Sequence, residues 1–208
     1  GQAKILSPHE VELNGNILTT KNIIIATGAR PTIPPIDGLE KVNFFTSDNL
    51  WNIQELPKKL LIVGGGPIGS EFAQCFARLG SDVTQVEMSP HILSREDDEI
   101  SLALRQQFGH EGIGIHTDTT CKTIVTENGK QVMVSEQRGQ EVRIEFDQIL
   151  IAVGRTANSK GFWLENIGIE FDQHNRIIVD SYLRTTTHEN IYACGDVVGP
   201  YQFTHTAA

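Results

Sequence analysis

Lys59-Leu60-Leu61-Ile62-Val63-Gly64-Gly65-Gly66-Pro67-Ile68-Gly69-Ser70-Glu71 is the stretch on which the reading of the fold turns. Lys59 to Val63 reads as a strand, residues 64 to 66 as a glycine turn, and Pro67 to about Leu79 as a helix, because Pro67 suits a first helical turn and Gly80 suits the end. Asp82 to Glu87 follows as a second strand, so the segment is a βαβ unit. Within the helix Ile68, Phe72, Cys75 and Leu79 recur at spacings of four, three and four, and this stripe is expected to face the sheet.

Gly64, Gly66 and Gly69 satisfy G-x-G-x-x-G in the context that gives the motif meaning, after a strand and opening a helix. The first glycine allows the tight turn, the second lets a pyrophosphate approach the backbone, and the third lets the helix pack on its strand. The first helical turn, which contains Ile68, supplies free N–H groups and partial positive charge. Glu87 ends the second strand 21 residues after Gly66, where a carboxylate accepts bonds from both hydroxyls of an adenosine ribose and repels a 2′-phosphate. These residues predict a Rossmann-like dinucleotide site that takes NAD(H), with Gly64, Gly66, Ile68, Gly69 and Glu87 as its contacts.

Upstream, Val11 to Leu13 and Ile17 to Thr19 flank Asn14-Gly15 and predict a hairpin. Ile23 to Ala26 is apolar without alternation, as in a strand covered on both faces, and ends at Thr27-Gly28. Pro31, Pro34, Pro35 and Gly38 make a stiff connector, and Ser47 is a candidate cap for a brief helix through Ile53. Downstream, Glu96 to about Phe108 reads as a second amphipathic helix and Ile113 to His116 as a third parallel strand. Residues 121 to 146 change to short strands separated by Asn128-Gly129 and Arg138-Gly139, an antiparallel meander. Gln148 to Val153 closes on Gly154, and Asn190 to Cys194 closes on Gly195-Asp196. Residues 25–30 and 151–156 echo one another as apolar strand, glycine and arginine, as two crossing segments between two nucleotide-binding units would.

The 208 residues carry 17 Lys and Arg against 26 Asp and Glu, and this acidity argues against nucleic acid as a partner. No apolar run reaches the roughly 18 to 20 residues of a membrane span, and no charged-then-apolar leader opens the chain. Cys75, Cys121 and Cys194 match neither a disulfide framework nor a metal-ligand spacing, so a reducing, cytoplasmic setting, structural cysteines and no metal site are expected. Glu71 falls on the rim of the apolar stripe near the helix start. On the residues alone it is a solvated carboxylate favoured by the helix dipole or paired with Arg78. Asp196, at a strand's carboxyl end, is either a turn aspartate or a ligand for a sugar or ribityl hydroxyl, and His205 is a polar helix-start residue.

Four segments in order, 25–31, 64–71, 152–158 and 191–196, resemble the pyridine nucleotide-disulfide oxidoreductases, which include lipoamide dehydrogenase, glutathione reductase and mercuric reductase. The resemblance implies an FAD domain interrupted by an NAD domain, with residues 1–55 and 153–208 as parts of the former and 56–152 as the latter. It implies that Asp196 bonds the flavin ribityl chain and that Thr27, Gly28 and Gly154 lie near the cofactors. The helix start at Phe203 to Thr206, with Thr204 and His205, would aim at the flavin N1/O2 edge. Glu71 becomes the catalytic-site glutamate that pairs with a lysine after the redox cysteines, its partner outside this chain. Pro67 stands where some relatives carry a tyrosine gate, and the FAD glycine motif, the C-x4-C pair and the dimerisation domain with its histidine are not in this sequence.

The resulting expectation is a central piece of an FAD-dependent enzyme. Its parent, a homodimer, passes hydride from NADH to flavin and on to a cysteine pair, whereas the piece itself does not turn over. Two alternatives stay open at this point. One is a nucleotide-sensing module without redox chemistry, and the other is an NADH oxidase or soluble transhydrogenase-like flavoenzyme.

Overall fold

A computed structural model describes residues 1–199. The chain runs through β1 (Ala3–Ser7), β2 (Glu10–Leu13), β3 (Asn16–Thr19), β4 (Ile23–Ile25), β5 (Ala29–Pro31), β6 (Phe44–Phe45) and β7 (Lys59–Val63). It continues with α1 (Pro67–Leu79), β8 (Asp82–Val86), α2 (Asp98–His110) and β9 (Gly114–His116). Then come β10 (Thr119–Glu127), β11 (Lys130–Gln137), β12 (Gln140–Phe146), β13 (Gln148–Ile151), β14 (Arg155–Ala157) and β15 (Ile191–Ala193). Two compact units result, residues 31–154 and residues 1–30 with 155 onward.

The central unit is a five-stranded sheet in the order β6-β13-β7-β8-β9, every pair parallel. Parallel strands need crossovers, and those crossovers cover both faces. Leu60, Ile62, Val83 and Leu150 bury against Ala73 and Phe76 of α1 and Phe108 of α2. Leu61, Val63, Ile149 and Ile151 bury on the other side against Ile124, Met133 and Ile144 of the antiparallel meander β10-β11-β12. Apolar residues without alternation in β7 therefore follow from two cores, one on each face. The chain winds outward from β7 through β8 and β9, then returns to place β13 on the opposite side of β7. That reversal opens the crevice at the carboxyl end of β7 where such sheets take ligands.

The flanking unit contains the β1-β2-β3 sheet, with Leu13 opposite Asn16 across the Asn14-Gly15 turn, and a two-stranded parallel sheet of β4 and β15. Ile23 and Ile25 are buried with Ile191 and Ala193.

Several expectations need correction. Ile24 is 69% exposed, so β4 is not covered on both faces; among the described residues one face carries the core and the other carries none. The α1 stripe holds only in its first half, where Ile68 and Phe72 are partly buried and Phe72 packs on the core. Gly69, Ser70, Ala73 and Phe76 are the buried positions, whereas Cys75 is exposed and Leu79 is 66% exposed. The sheet-facing side of this helix uses small residues because it approaches the glycine turn too closely for large ones. Ser47 is not at the N-cap: Leu50–Asn52 is a 3-10 turn whose N-cap is Asn49, Asn49 accepts the Thr46 N–H at 2.7 Å, and the Ser47 carbonyl accepts the Trp51 indole N–H at 2.9 Å. Residues 31–55, expected with the flanking domain, belong to the central unit, because β6 pairs with β13 and Ile36, Leu39 and Leu50 fill its cores. No helix among the described residues is long and apolar enough to cross a membrane.

Candidate dinucleotide site

The turn between β7 and α1 is built by close approach. Gly64 has φ 118°, and a side chain there would collide with the Ala152 carbonyl at the end of β13. A side chain on Gly69 would collide with the Gly64 carbonyl, so this glycine lets α1 seat against its own loop. Gly66 differs: its φ of −74° suits any residue, and a Cβ there meets nothing within 4 Å. The space that the backbone leaves free at Gly66 is the space a diphosphate needs. The first helical hydrogen bond is Ser70 N–H to the Gly66 carbonyl at 2.9 Å. Ile68 and Gly69 therefore present N–H groups without intrahelical acceptors, and Pro67 has none to present.

Glu87 follows β8 directly and its carboxylate closes onto the turn. One oxygen accepts the Gly65 N–H at 2.5 Å and the other accepts the Ser89 N–H at 2.7 Å. Each oxygen keeps a lone pair, so two vicinal hydroxyls could be accepted side by side. The Glu87 N–H donates to the His116 carbonyl and its own carbonyl accepts from Thr119, which ties the acid to the end of β9. Gly64, Gly66, Ile68, Gly69 and Glu87 are thus brought together.

Two contributors escaped the sequence reading. Gln85 is fully buried in β8, and its amide donates to the Gly64 carbonyl at 3.0 Å and to the Ser70 hydroxyl at 3.3 Å. A glutamine between Thr84 and Val86, one residue before the strand-end acid, was the available signal. Leu93 donates its N–H to the Gly65 carbonyl at 2.7 Å, and nothing in its side chain announces this.

Glu71 lies on α1 and is exposed, not on a buried rim. Cys75, one helical turn on, is likewise exposed. Cys121 is partly buried beside Ser135, and burial pushes its thiol up.

In the flanking unit Asp196 lies just after β15 and is ion-paired with the Arg155 guanidinium, Nε to Oδ2 at 3.3 Å. Arg155 also donates to the Ala29 carbonyl at 2.5 Å. The Thr27 hydroxyl donates to the Asn158 carbonyl at 2.7 Å, the Asn158 amide returns a bond to the Thr27 carbonyl, and the Asn158 N–H reaches the Gly28 carbonyl. The two echo segments are thus partners, with β5 pairing β14. Gly154, at φ 128°, lies in the central unit, where its carbonyl accepts the Thr32 N–H. Thr204 and His205 lie outside the described residues. No group of three or more metal-ligating side chains occurs among the described residues.

A parallel sheet with this glycine turn and strand-end acid defines a Rossmann-like α/β protein. The family model described as pyridine nucleotide-disulphide oxidoreductase matches residues 1–208, and the chain belongs to that family. It is 36% identical over 208 residues to a mercuric reductase from Bacillus cereus, all of this chain aligning with 33% of that protein. It is 43% identical over 211 residues to a dihydrolipoyl dehydrogenase from Acholeplasma laidlawii, covering 60% of it. Among solved structures, the HOCl-induced flavoprotein disulfide reductase RclA from Escherichia coli superposes with a TM-score of 0.90 at 34% identity, over all of this chain and 47% of that one. The chain thus spans between a third and three fifths of the length of these relatives.

Proposed function

We propose that the chain carries the NADH site and part of the flavin site of an FAD-dependent oxidoreductase. That enzyme passes hydride from NADH to flavin and onward to a cysteine pair, as a disulfide or metal-ion reductase does. The observation that carries this reading is the Glu87 carboxylate, held by two main-chain N–H groups at the mouth of a glycine turn that leaves Gly66 bare. Gly66, Ile68 and Gly69 would hold the diphosphate through their N–H groups at the positive end of α1. Glu87 would accept the two adenosine ribose hydroxyls and repel a 2′-phosphate in that position. The bound nicotinamide supplies the hydride, and the protein's part is orientation.

Glu71 is the proposed catalytic-site glutamate, and its exposure leaves it accessible to a lysine from outside this chain. Asp196, oriented by Arg155, is the proposed ribityl ligand, with Thr27, Gly28 and Gly154 as further cofactor neighbours.

Titration of the chain with NADH and NADPH, followed by nicotinamide fluorescence, tests the reading. NADH is expected to bind at least roughly tenfold more tightly, since a 2′-phosphate would face the like charge of Glu87, and Glu87→Gln is expected to narrow that gap. Preference for NADPH, or no binding of either, overturns it.

A further inference from the structure

The glycine turn is held from a segment that the dinucleotide motif does not include. Leu93 adopts φ 51°, a left-handed conformation uncommon for leucine, and in it the Leu93 N–H reaches the Gly65 carbonyl at 2.7 Å. The Gly65 N–H is held by Glu87. Both peptide groups of Gly65 are therefore held by residues 87 to 93, the Ser70 hydroxyl adding a longer bond to its carbonyl at 3.4 Å. That segment is itself anchored: Ile92 is buried in the helix-side core, and the buried Ser101 hydroxyl donates to the Ile92 carbonyl at 2.6 Å. Glu96 N–H closes a turn on the Leu93 carbonyl at 2.9 Å. Strained backbone persists where its surroundings over-determine it, and here they do so on both sides of Leu93.

The consequence follows from peptide geometry. The Gly65–Gly66 peptide unit is planar and trans, so its carbonyl and its N–H point in opposite directions. Fixing the Gly65 carbonyl toward Leu93 sets the direction of the Gly66 N–H, one of the donors assigned above to the diphosphate.

We propose that Leu93 is a positioning residue for the diphosphate-binding turn, acting through its left-handed main chain rather than its side chain. This rests on the reading of that turn as the NADH site. Three variants of the 208-residue chain separate backbone from side chain. Leu93→Ile, whose β-branch opposes positive φ, is expected to weaken NADH binding roughly threefold to tenfold and to shift the Gly66 amide resonance without ligand. Leu93→Asn and Leu93→Gly, which tolerate positive φ, are expected to bind NADH within about twofold of the parent and to keep that resonance, although both remove the leucine side chain. Wild-type binding by Leu93→Ile, or equal weakening in all three, overturns the proposal. Should Leu93→Ile lack a cooperative thermal transition, the Asn and Gly variants decide by the same criterion. If the parent chain itself binds no NADH, the site reading fails, and the Gly66 resonance across the three variants still decides the role of Leu93.

Discussion

Gly66 and Gly69 lie three residues apart and do different work, which substitution separates. Alanine at Gly69 drives its methyl into the Gly64 carbonyl, so unfolding stability is expected to fall by about 1–3 kcal/mol. Alanine at Gly66 meets no protein atom, and stability is expected to stay within about 1 kcal/mol of the parent. NADH affinity is nevertheless expected to drop on the order of tenfold, the cost of obstructing a hydrogen bond to a charged ligand. Urea unfolding paired with fluorescence titration checks both, and a Gly66→Ala chain that binds normally would contradict the assigned diphosphate position. That the motif glycines and Glu87 meet at one turn was legible because this backbone geometry tolerates few substitutes at fixed spacing. Leu93 was not, because a main-chain N–H belongs to every non-proline residue and only the fold aims it.

Between elements, α1 shows where pattern reading reaches its limit. Its boundaries matched the sequence because Pro67 and Gly80 mark them chemically. Its buried face matched only in part, because the apolar stripe follows large side chains, whereas Gly69 meets the Gly64 carbonyl and Ser70 the Gly65 carbonyl, so the fully buried side starts with small residues and reaches Phe76 two turns on. Phe72 packs half-buried at the margin of the helix-side core, edge-on to Trp51 at 5.7 Å. A polar clasp joins α1 to the end of α2: Glu111 accepts from Arg78 at 2.7 and 3.0 Å, from Gln107 at 2.6 Å and from Gln74 at 3.0 Å. The Arg78 hydrogen bond, helped by Gln107, lowers the Glu111 carboxyl to about 2. Because the folded value lies below the ordinary one near 4.5, this contribution is complete above that value and is lost as pH falls through about 2. The urea midpoint of Glu111→Gln is therefore expected to lie below the parent's at pH 6 and to converge with it as pH approaches 2. A constant offset across that range would show that the clasp adds nothing electrostatic.

Over the whole molecule, the parallel sheet, the meander and the return to a second unit were readable from periodicity and turn chemistry. The point where the chain leaves the flanking unit was not. Residues 31–55 have little regular structure, and their membership depends on one short strand, β6, on the Asp37 bridge to Thr123 and on three buried apolar side chains. Residues 31–154 contain both faces of the five-stranded sheet and every proposed NADH contact. Expressed alone, they are expected to unfold cooperatively and to bind NADH within about threefold of the full chain, a difference under 1 kcal/mol. A piece that begins at residue 56 is expected to be less stable, since it lacks Ile36, Leu39 and Leu50. Calorimetry and titration of the two pieces check this. The pairing of β4 with β15 carries one more implication, for the order of assembly on the ribosome. Among the described residues, Ile23 to Ile25 emerges early yet meets its hydrogen-bonding neighbour only once Ile191 to Ala193 has been translated. The inserted unit is free to condense during that wait, and closure of the outer one comes late, after the long loop between its halves has already been shortened by folding.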